Sequence, residues 1–154
     1  MIDLLSIMAF HAAYAQSIDS DQLESWPDFF TPDTVYRVTH IENEQENLPA
    51  GIVWADSRAM LEDRVAALRE ANIYERQRYR HLIGIPLILS ANAETAQATT
   101  PFMVARIMAT GETQLFATGV FRDRFVKVNG RLFLAERVAV CDSTVTDTLM
   151  ALPL

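Results

Sequence analysis

The chain has 154 residues, half of them apolar, with 13 basic and 20 acidic side chains and a net charge of −7. This length and composition indicate one globular domain spanning residues 1–154 and exclude a disordered chain. Contacts of Lys and Arg with phosphate supply most of the non-specific affinity for nucleic acid, so the negative charge also excludes nucleic acid as the default partner.

The first 36 residues are acidic and begin with two predicted helices. Apolar residues recur at helical spacing over residues 3–18, and Asp19 and Ser20 then predict the cap of a second short helix over residues 21–26. Six of the first 36 residues are acidic and none is basic, whereas twelve of the thirteen basic residues of the chain are arginines. Arginine suits fixed, bidentate ion pairs, so we expect interfaces with other chains.

A strand pair and a third helix come next. Residues 34–39 alternate and are rich in β-branched side chains, residues 51–55 return as a second strand, and the polar segment 42–49 is predicted as the loop between them. Asp56 and Ser57 predict the cap of the third helix. The expected apolar face of that helix consists of Met60, Leu61, Val65 and Leu68. The aromatic cluster predicted to fill the core before the first strand consists of Trp26, Phe29 and Phe30.

The second half of the chain has β character. The predicted strands are residues 78–89, 99–108, 114–128 and 131–141. Asn129-Gly130 favours a type I′ hairpin turn between the last two strands, and Thr110-Gly111-Glu112 is a second candidate turn. This order of elements predicts an α+β domain in which about three helices pack on one face of a curved antiparallel sheet.

Two of these strands are apolar on both faces. Phe102 and Val104 alternate with Met103 and Ala105, and the last strand shows the same pattern. An antiparallel sheet with one solvated face should alternate apolar and polar residues instead. We therefore expect the face opposite the helices to pack on another subunit.

The most unusual charge feature is Arg76-Gln77-Arg78-Tyr79-Arg80-His81. In an extended strand, the three arginines lie on one side, and Tyr79 and His81 lie on the other. One interpretation is a solvated face, balanced by acidic residues. The candidate acidic residues are Glu70, Glu75 and Glu136. A second interpretation is a docking edge complementary in charge to another chain. A third, binding of single-stranded nucleic acid, is opposed by the net negative charge.

Few residues suggest catalysis. The three histidines and Cys141 show no metal-ligand spacing, and the apolar neighbours of the thiol disfavour a thiolate. A curved sheet can nevertheless enclose a pocket, in which Asp19, Tyr36 and His81 are the candidate acid–base set of an isomerase or dehydratase.

The two ends of the chain are also informative. Residues after Asp147 are uncharged, so we expect the tail, including Leu152 and Leu154, to dock on its own sheet or on a neighbouring subunit. The apolar start of the chain carries Asp3 where a secretory signal has a basic residue, and no stretch is long enough to cross a membrane. The single cysteine is compatible with a reducing compartment. We expect a cytoplasmic protein with no membrane partner.

Three segments resemble a known family. Residues 14–33, followed by the strand Val35-Tyr36-Arg37-Val38, resemble the small (β) subunits of Rieske aromatic-ring-hydroxylating dioxygenases. Residues 50–84 and 135–154 are most similar to the terephthalate-type members of that family, with anthranilate and salicylate types as close relatives. The similarity is weakest in the first helix and over residues 90–99.

The resemblance implies a cystatin-like, nuclear-transport-factor-2-like cone in an α3β3 assembly. The large subunit would hold the Rieske [2Fe–2S] cluster and the mononuclear Fe(II), receive electrons from a reductase and dihydroxylate the aromatic ring. A Rieske centre needs two Cys and two His ligands, and a chain with one cysteine cannot supply them. We therefore expect no catalytic residue, metal or cofactor in this chain. The expected subunit-interface residues are Arg76, Arg78, Tyr79, Arg80, Leu152 and Leu154.

Overall fold

Helices occupy the first half of the chain and strands the second, as the sequence predicts. The computed structural model describes residues 1–45, 53–71, 76–143 and 152–154. The helices are α1 (Leu4–Asp19), a 3₁₀ helix (Leu23–Phe29), α2 (Ile41–Gln45) and α3 (Arg58–Ala71). The strands are β1 (Phe30–His40), β2 (Val53–Ala55), β3 (Gln77–Ile83), β4 (Leu87–Ala91), β5 (Thr95–Met108), β6 (Thr113–Val128) and β7 (Arg131–Cys141).

The strands form one curved sheet in the order β2-β1-β7-β6-β5-β3, with β4 also paired to β5. Neighbouring strands are antiparallel except β1 and β7, which run parallel. The prediction of a purely antiparallel sheet is therefore wrong at this one junction. Most of the chain lies between β1 and β7, which provides the long connection that a parallel pair requires.

Local signals explain where several elements begin and end. Asp3 caps α1, since its carboxylate accepts from the main-chain N–H of Ser6 while the Ser6 hydroxyl accepts from that of Asp3. Asn129 and Gly130 have φ values of 52° and 79°, which confirms the predicted type I′ turn.

Other boundaries differ from the prediction. Asp21 has a φ of 59° and ends the α1 turn, so the second helix starts at Leu23 and is a 3₁₀ helix. The predicted strand 78–89 is divided into β3 and β4, because the chain turns at Gly84 and donates there to the carbonyl of Pro101. Part of the predicted loop 42–49 is the short helix α2, and residues 46–49 lie outside the described residues.

The core fills the concave face of the sheet. Trp26 and Phe30 are fully buried and meet Tyr36 edge to face, which confirms the predicted aromatic filling, while Phe29 is partly buried. Such aromatic pairs add about 0.5–1.5 kcal/mol each beyond the burial of their area. Leu61 and Val65 bring α3 onto this core, with Leu68 partly buried, whereas Met60 is exposed against the prediction.

The opposite face of the sheet is open. Leu82 is 65% exposed, Leu115 is 59% exposed and Met103 is 44% exposed. No described part of this chain covers these side chains, although both faces of the strands are apolar as the sequence predicts. The sheet therefore has one face packed by its own helices and one apolar face that the described residues leave uncovered at β3, β5 and β6, whereas Val138 on the same face of β7 is buried.

Candidate functional site

An exposed apolar patch lies on the outer face of the sheet at the β3 end. Leu82 is directly opposite Met103 on β5, and Ala105, two residues further along β5, is opposite Leu115 on β6. Cross-strand partners share a face, so these side chains form one surface, which we call the outer patch (Leu82, Met103 and Leu115). Apolar surfaces of this kind mark protein interfaces.

Arginines border the outer patch. Arg78 and Arg80 alternate outward with Leu82 along β3, whereas Tyr79 and His81 are buried, as the sequence predicts. Arg76 is exposed just before the strand. We call Arg76, Arg78 and Arg80 the basic edge, because β3 is an outer strand of the sheet.

The basic edge has no ion pair with a residue in the described ranges. The prediction that Glu136 balances the charge of the basic edge is wrong. Glu136 lies on β7, opposite Val35 of β1 and Arg124 of β6, and is therefore away from β3. Glu75 lies outside the described residues. The structure thus leaves the docking-edge interpretation of the basic edge open.

Three residues predicted at the subunit interface lie inside this chain instead. Tyr79, Leu152 and Leu154 are all buried, so their side chains are not available to a partner in this structure. The described end of the tail, residues 152–154, docks on its own chain: Leu152 and Leu154 are buried, and their main-chain groups are hydrogen-bonded to tyrosine hydroxyls. Of the predicted interface residues, Arg76, Arg78 and Arg80 remain candidates, because their side chains are exposed.

Tyrosine hydroxyls hold the tail in the mouth of the cone. The hydroxyls of Tyr14 and Tyr36 donate to the main-chain oxygen of Leu154 at 2.7 and 3.0 Å, and Tyr79 donates to that of Leu152 at 3.3 Å. The N–H of Leu154 donates back to the Tyr36 hydroxyl at 3.2 Å. The tail therefore satisfies buried polar groups that would otherwise need water or a ligand.

The candidate acid–base residues are only partly brought together. The ring Nδ1 of His81 lies 2.7 Å from Asp19 Oδ1, and the main-chain N–H of His81 donates to Oδ2 at 2.8 Å. This pair borders a surface groove between α1 and β3, which Arg80 also lines. Tyr36 does not join it, because its hydroxyl is bonded to Leu154. Asp19 and His81 thus form a pair, and Tyr36 lies apart from it.

A buried ion pair lies at the centre of the cone. Arg137 donates to both carboxylate oxygens of Asp123 at 2.8 Å, and its guanidinium stacks over Phe121 and Tyr14. Burial opposes the charge of Arg137, but Asp123 raises the pKa of the guanidinium above its ordinary value. Sequence reasoning missed this pair. The available signal was an aspartate that alternates with Phe121 and Phe125 along β6; the register shift between Arg124 and Phe125 then brings Arg137 opposite it.

His11 completes the buried cluster and is neutral. Its Nδ1 accepts from Arg137 at 3.0 Å, which leaves the proton on Nε2, 3.1 Å from the hydroxyl of Thr100. Burial and the charge of Arg137 lower the pKa of His11 to about 2. Asp123 is more distant, at 4.0 Å, and does not reverse this effect. His11 is therefore a core histidine with satisfied hydrogen bonds.

Metal and thiol chemistry find little support in the described ranges. No group of three His, Cys, Asp or Glu side chains comes together there. Burial raises the pKa of the Cys141 thiol to about 11, which disfavours a nucleophilic thiolate. None of the helices described in the structure has the length and apolar character needed to cross a membrane.

Comparison with known proteins gives one consistent result. Residues 1–138 match the SnoaL-like domain. The chain is 63% identical, over the full length of both chains, to subunit beta 1 of the terminal oxygenase component of terephthalate 1,2-dioxygenase from a Comamonas species. It is 35% identical to the anthranilate 1,2-dioxygenase small subunit of Burkholderia cepacia, over 92% of this chain and 88% of that one.

The solved structures agree. The β subunit of an aromatic-ring-hydroxylating dioxygenase from Novosphingobium aromaticivorans superposes with a TM-score of 0.91 and 36% identity, over 98% of this chain and 96% of that chain. The benzoate 1,2-dioxygenase β subunit of Burkholderia mallei, at 17% identity, TM-score 0.77 and 92% coverage of each chain, shares the fold.

Proposed function

Because this chain belongs to the small (β) subunits of aromatic-ring-hydroxylating dioxygenases, we propose that it is the structural subunit of an oxygenase that acts on terephthalate. The substrate follows from the 63% identity to two terephthalate 1,2-dioxygenase β subunits. The partner is the large (α) subunit, in an α3β3 hexamer that also brings copies of this chain together. The reductase interacts through the large subunit, and the complex is cytoplasmic.

The redox groups belong to the large subunit in this proposal. Dihydroxylation consumes O2, two electrons derived from NADH and two protons, and places both oxygen atoms on the ring. A Rieske [2Fe–2S] cluster and a mononuclear Fe(II) supply that chemistry. A Rieske centre needs two Cys and two His ligands, whereas this chain has one cysteine, which is buried, and no three His, Cys, Asp or Glu side chains come together among the described residues.

One observation carries the structural role. The outer patch and the basic edge form an apolar surface bordered by guanidinium groups, which the described residues neither cover nor neutralise. Inside the cone, by contrast, Asp123 is bonded to Arg137, and the hydroxyls of Tyr14 and Tyr36 are bonded to the end of the tail. An exposed apolar surface bordered by charged groups is typical of a subunit interface and supports a structural role.

Co-expression with the large subunit tests the proposal. We expect a complex with near-equal amounts of the two chains, which oxidises terephthalate when the reductase and NADH are added. The matched control is the large subunit expressed alone, which should be poorly assembled. A small subunit that stays a soluble monomer in the presence of the large subunit would contradict the proposal.

The Asp19–His81 pair favours one other candidate, a stand-alone isomerase or dehydratase. Imidazole bonded to a carboxylate is a common arrangement for a general base. The separation of Tyr36 from the pair and the docking of the tail argue against it. This candidate predicts turnover of a small carbonyl compound by the chain alone, lost in His81→Ala and in Tyr36→Phe. Absence of turnover by the isolated chain, in a preparation that assembles with the large subunit, excludes it.

A further inference from the structure

The end of the tail occupies a pocket formed by distant parts of the chain. Leu152 is 5% exposed, and Leu154 is fully buried in the mouth of the cone. The tyrosines that hydrogen-bond to them lie on α1, β1 and β3. We call this site the mouth pocket (Tyr14, Tyr36 and Tyr79). Its walls come from the folded domain, and the end of the tail is its occupant.

Several hydrogen-bond donors converge in the mouth pocket. The hydroxyls of Tyr14 and Tyr36 both donate to the main-chain oxygen of Leu154, at 2.7 and 3.0 Å. Two further buried N–H groups, Nε1 of Trp26 and Nη1 of Arg137, have no acceptor among the described residues. Buried donors without an acceptor are rare in proteins because they cost stability. The pocket therefore suits an occupant with more acceptor atoms than one peptide oxygen provides.

The charges around the mouth pocket favour an anion. Burial raises the pKa of Tyr14, and the neighbouring Arg137 and Trp26 act against that rise. Burial also raises the pKa of Tyr36, and there the charges of Arg64 and Arg137 act in the opposite direction. Asp123 opposes them at Tyr14, but both of its oxygens are bonded to Nε and Nη2 of Arg137. Guanidinium groups thus favour negative charge at the position of the Leu154 oxygen.

The rest of the mouth pocket is apolar and largely aromatic. Leu152 and Leu154 belong to the same buried cluster as Trp26, Phe30 and Tyr36, whose rings meet edge to face. A ligand that replaces the tail must fill the space of two leucine side chains. An aromatic ring suits walls that are themselves aromatic. Together with the donors, these walls favour a ring that carries a carboxylate.

A surface groove connects the tail with solvent at Leu152. Ile18 and Met108 also line this groove. Its charged residues are two arginines and two aspartates, namely Arg76, Arg78, Asp19 and Asp21. Because these unlike charges offset one another, the groove does not repel a small anion that approaches the tail.

We propose that the mouth pocket binds a small aromatic carboxylate and that the end of the tail is its internal competitor. The carboxylate accepts from Tyr14 and Tyr36 in place of the Leu154 oxygen, and the ring replaces the leucine side chains. Because the tail belongs to the same chain, its effective concentration is on the order of millimolar, and a ligand displaces it only when abundant. Every group involved lies in this chain, so the inference does not depend on the proposed function.

Leucine-methyl NMR of the full chain tests displacement of the tail directly. Sodium benzoate is the probe, and the signals of Leu152 and Leu154 are identified by their loss in the two leucine-to-alanine variants. We expect these signals to move saturably towards the positions of exposed leucines, while those of Leu82 and Leu115 in the outer patch stay in place. Benzamide, which has the same ring but no charge, should bind at least about tenfold more weakly, because it lacks the anion that the donors favour.

Variants separate release of the tail from binding of the ligand. Leu154→Ala should tighten benzoate binding about tenfold or more, because the apparent dissociation constant falls as the open pocket becomes more populated. Leu132→Ala is the matched control, since it removes the same side chain from a partly buried position outside the pocket. Adding Tyr14→Phe to Leu154→Ala should weaken benzoate binding about tenfold, because one donor to the carboxylate is lost.

Three results would overturn the inference. The first is no movement of the tail signals in wild type at benzoate concentrations on the order of ten times the effective concentration of the tail. The second is an equal response to benzamide, which would show that the pocket does not select an anion. The third is movement confined to Leu82 and Leu115, which would place benzoate on the outer patch. If Leu154→Ala does not fold, the wild-type titration decides alone, and neither result bears on assembly with the large subunit.

Discussion

Acidification should destabilise the fold through His11. The folded chain keeps this imidazole neutral, with a pKa lowered to about 2 by burial and by Arg137, from an ordinary value of 6.5. In the unfolded chain the imidazole takes up a proton as the pH falls below that ordinary value. The unfolded state therefore binds more protons between these two values, and stability is lost as the pH falls through this window.

The size of the stability loss follows from the ordinary pKa of histidine. It does not depend on how far the pKa of the folded imidazole lies below about 5. Between about pH 7 and about pH 5, the unfolded imidazole changes from mostly neutral to almost fully charged, while the folded one does not titrate. The free energy of unfolding should therefore fall by about 2 kcal/mol over this interval on account of His11. Charging the folded imidazole instead would place an N–H of His11 against the donating guanidinium of Arg137.

Urea unfolding followed by tryptophan fluorescence measures this dependence. The matched variant is His11→Gln, whose amide can accept from Arg137 and donate to Thr100 without titrating. Other groups titrate in the same interval, so the difference between wild type and variant isolates the contribution of His11. We expect the wild type to lose about 2 kcal/mol more than the variant on acidification. An equal loss in both proteins would refute the assignment of a neutral buried His11.

Four further substitutions and one double variant probe the packing of the core and of the sheet. Arg137→Met and Asp123→Leu should each reduce the free energy of unfolding by about 3–5 kcal/mol, because each leaves an uncompensated buried charge, whereas the double variant should lie close to wild type in the same urea titration. Tyr36→Phe should cost about 1–2 kcal/mol, since it leaves the N–H of Leu154 without its acceptor, and an unchanged melting temperature of the isolated chain would contradict docking of the tail in its own cone. Gly119→Ala should destabilise by about 3 kcal/mol or more, because a Cβ there would collide with the main-chain carbonyl of Val140 on β7; thermal unfolding checks this, and an unchanged melting temperature would contradict the close approach of β6 and β7 at this point.

Local sequence patterns correctly predicted the elements that depend only on neighbouring residues. The type I′ turn at Asn129-Gly130 and the alternation of Arg80 with His81 follow from residue type and strand period, and both are confirmed. The parallel β1–β7 pair depends on partners about a hundred residues apart, which no local period encodes. The Asp123–Arg137 pair depends on the register shift between Arg124 and Phe125, which the hairpin turn does not encode; without that shift Asp123 would lie opposite Glu136.

The tail also shows what local sequence patterns cannot predict. Its lack of charge correctly predicted docking, but burial alone does not distinguish the chain's own cone from a neighbouring subunit. The deciding information was the position of three tyrosine hydroxyls on α1, β1 and β3, which converge only after folding. Tyr36 and Tyr79 were each assigned a different role from sequence, one catalytic and one at the interface, because their common partner was not visible.

Both faces of the sheet carry apolar side chains, but the described residues leave part of the outer face exposed. Helices and the end of the tail cover the concave face, where the charges of Asp123 and Arg137 neutralise one another. The outer face keeps its leucines in water, which is unfavourable for an isolated chain at roughly 25 cal/mol per Å² of apolar surface. Association with a partner that covers this face recovers that free energy, and carboxylates on the partner would in addition neutralise the guanidinium groups of β3. Apolar area on the outer face thus favours association, while the guanidinium groups of β3 favour a partner with acidic side chains.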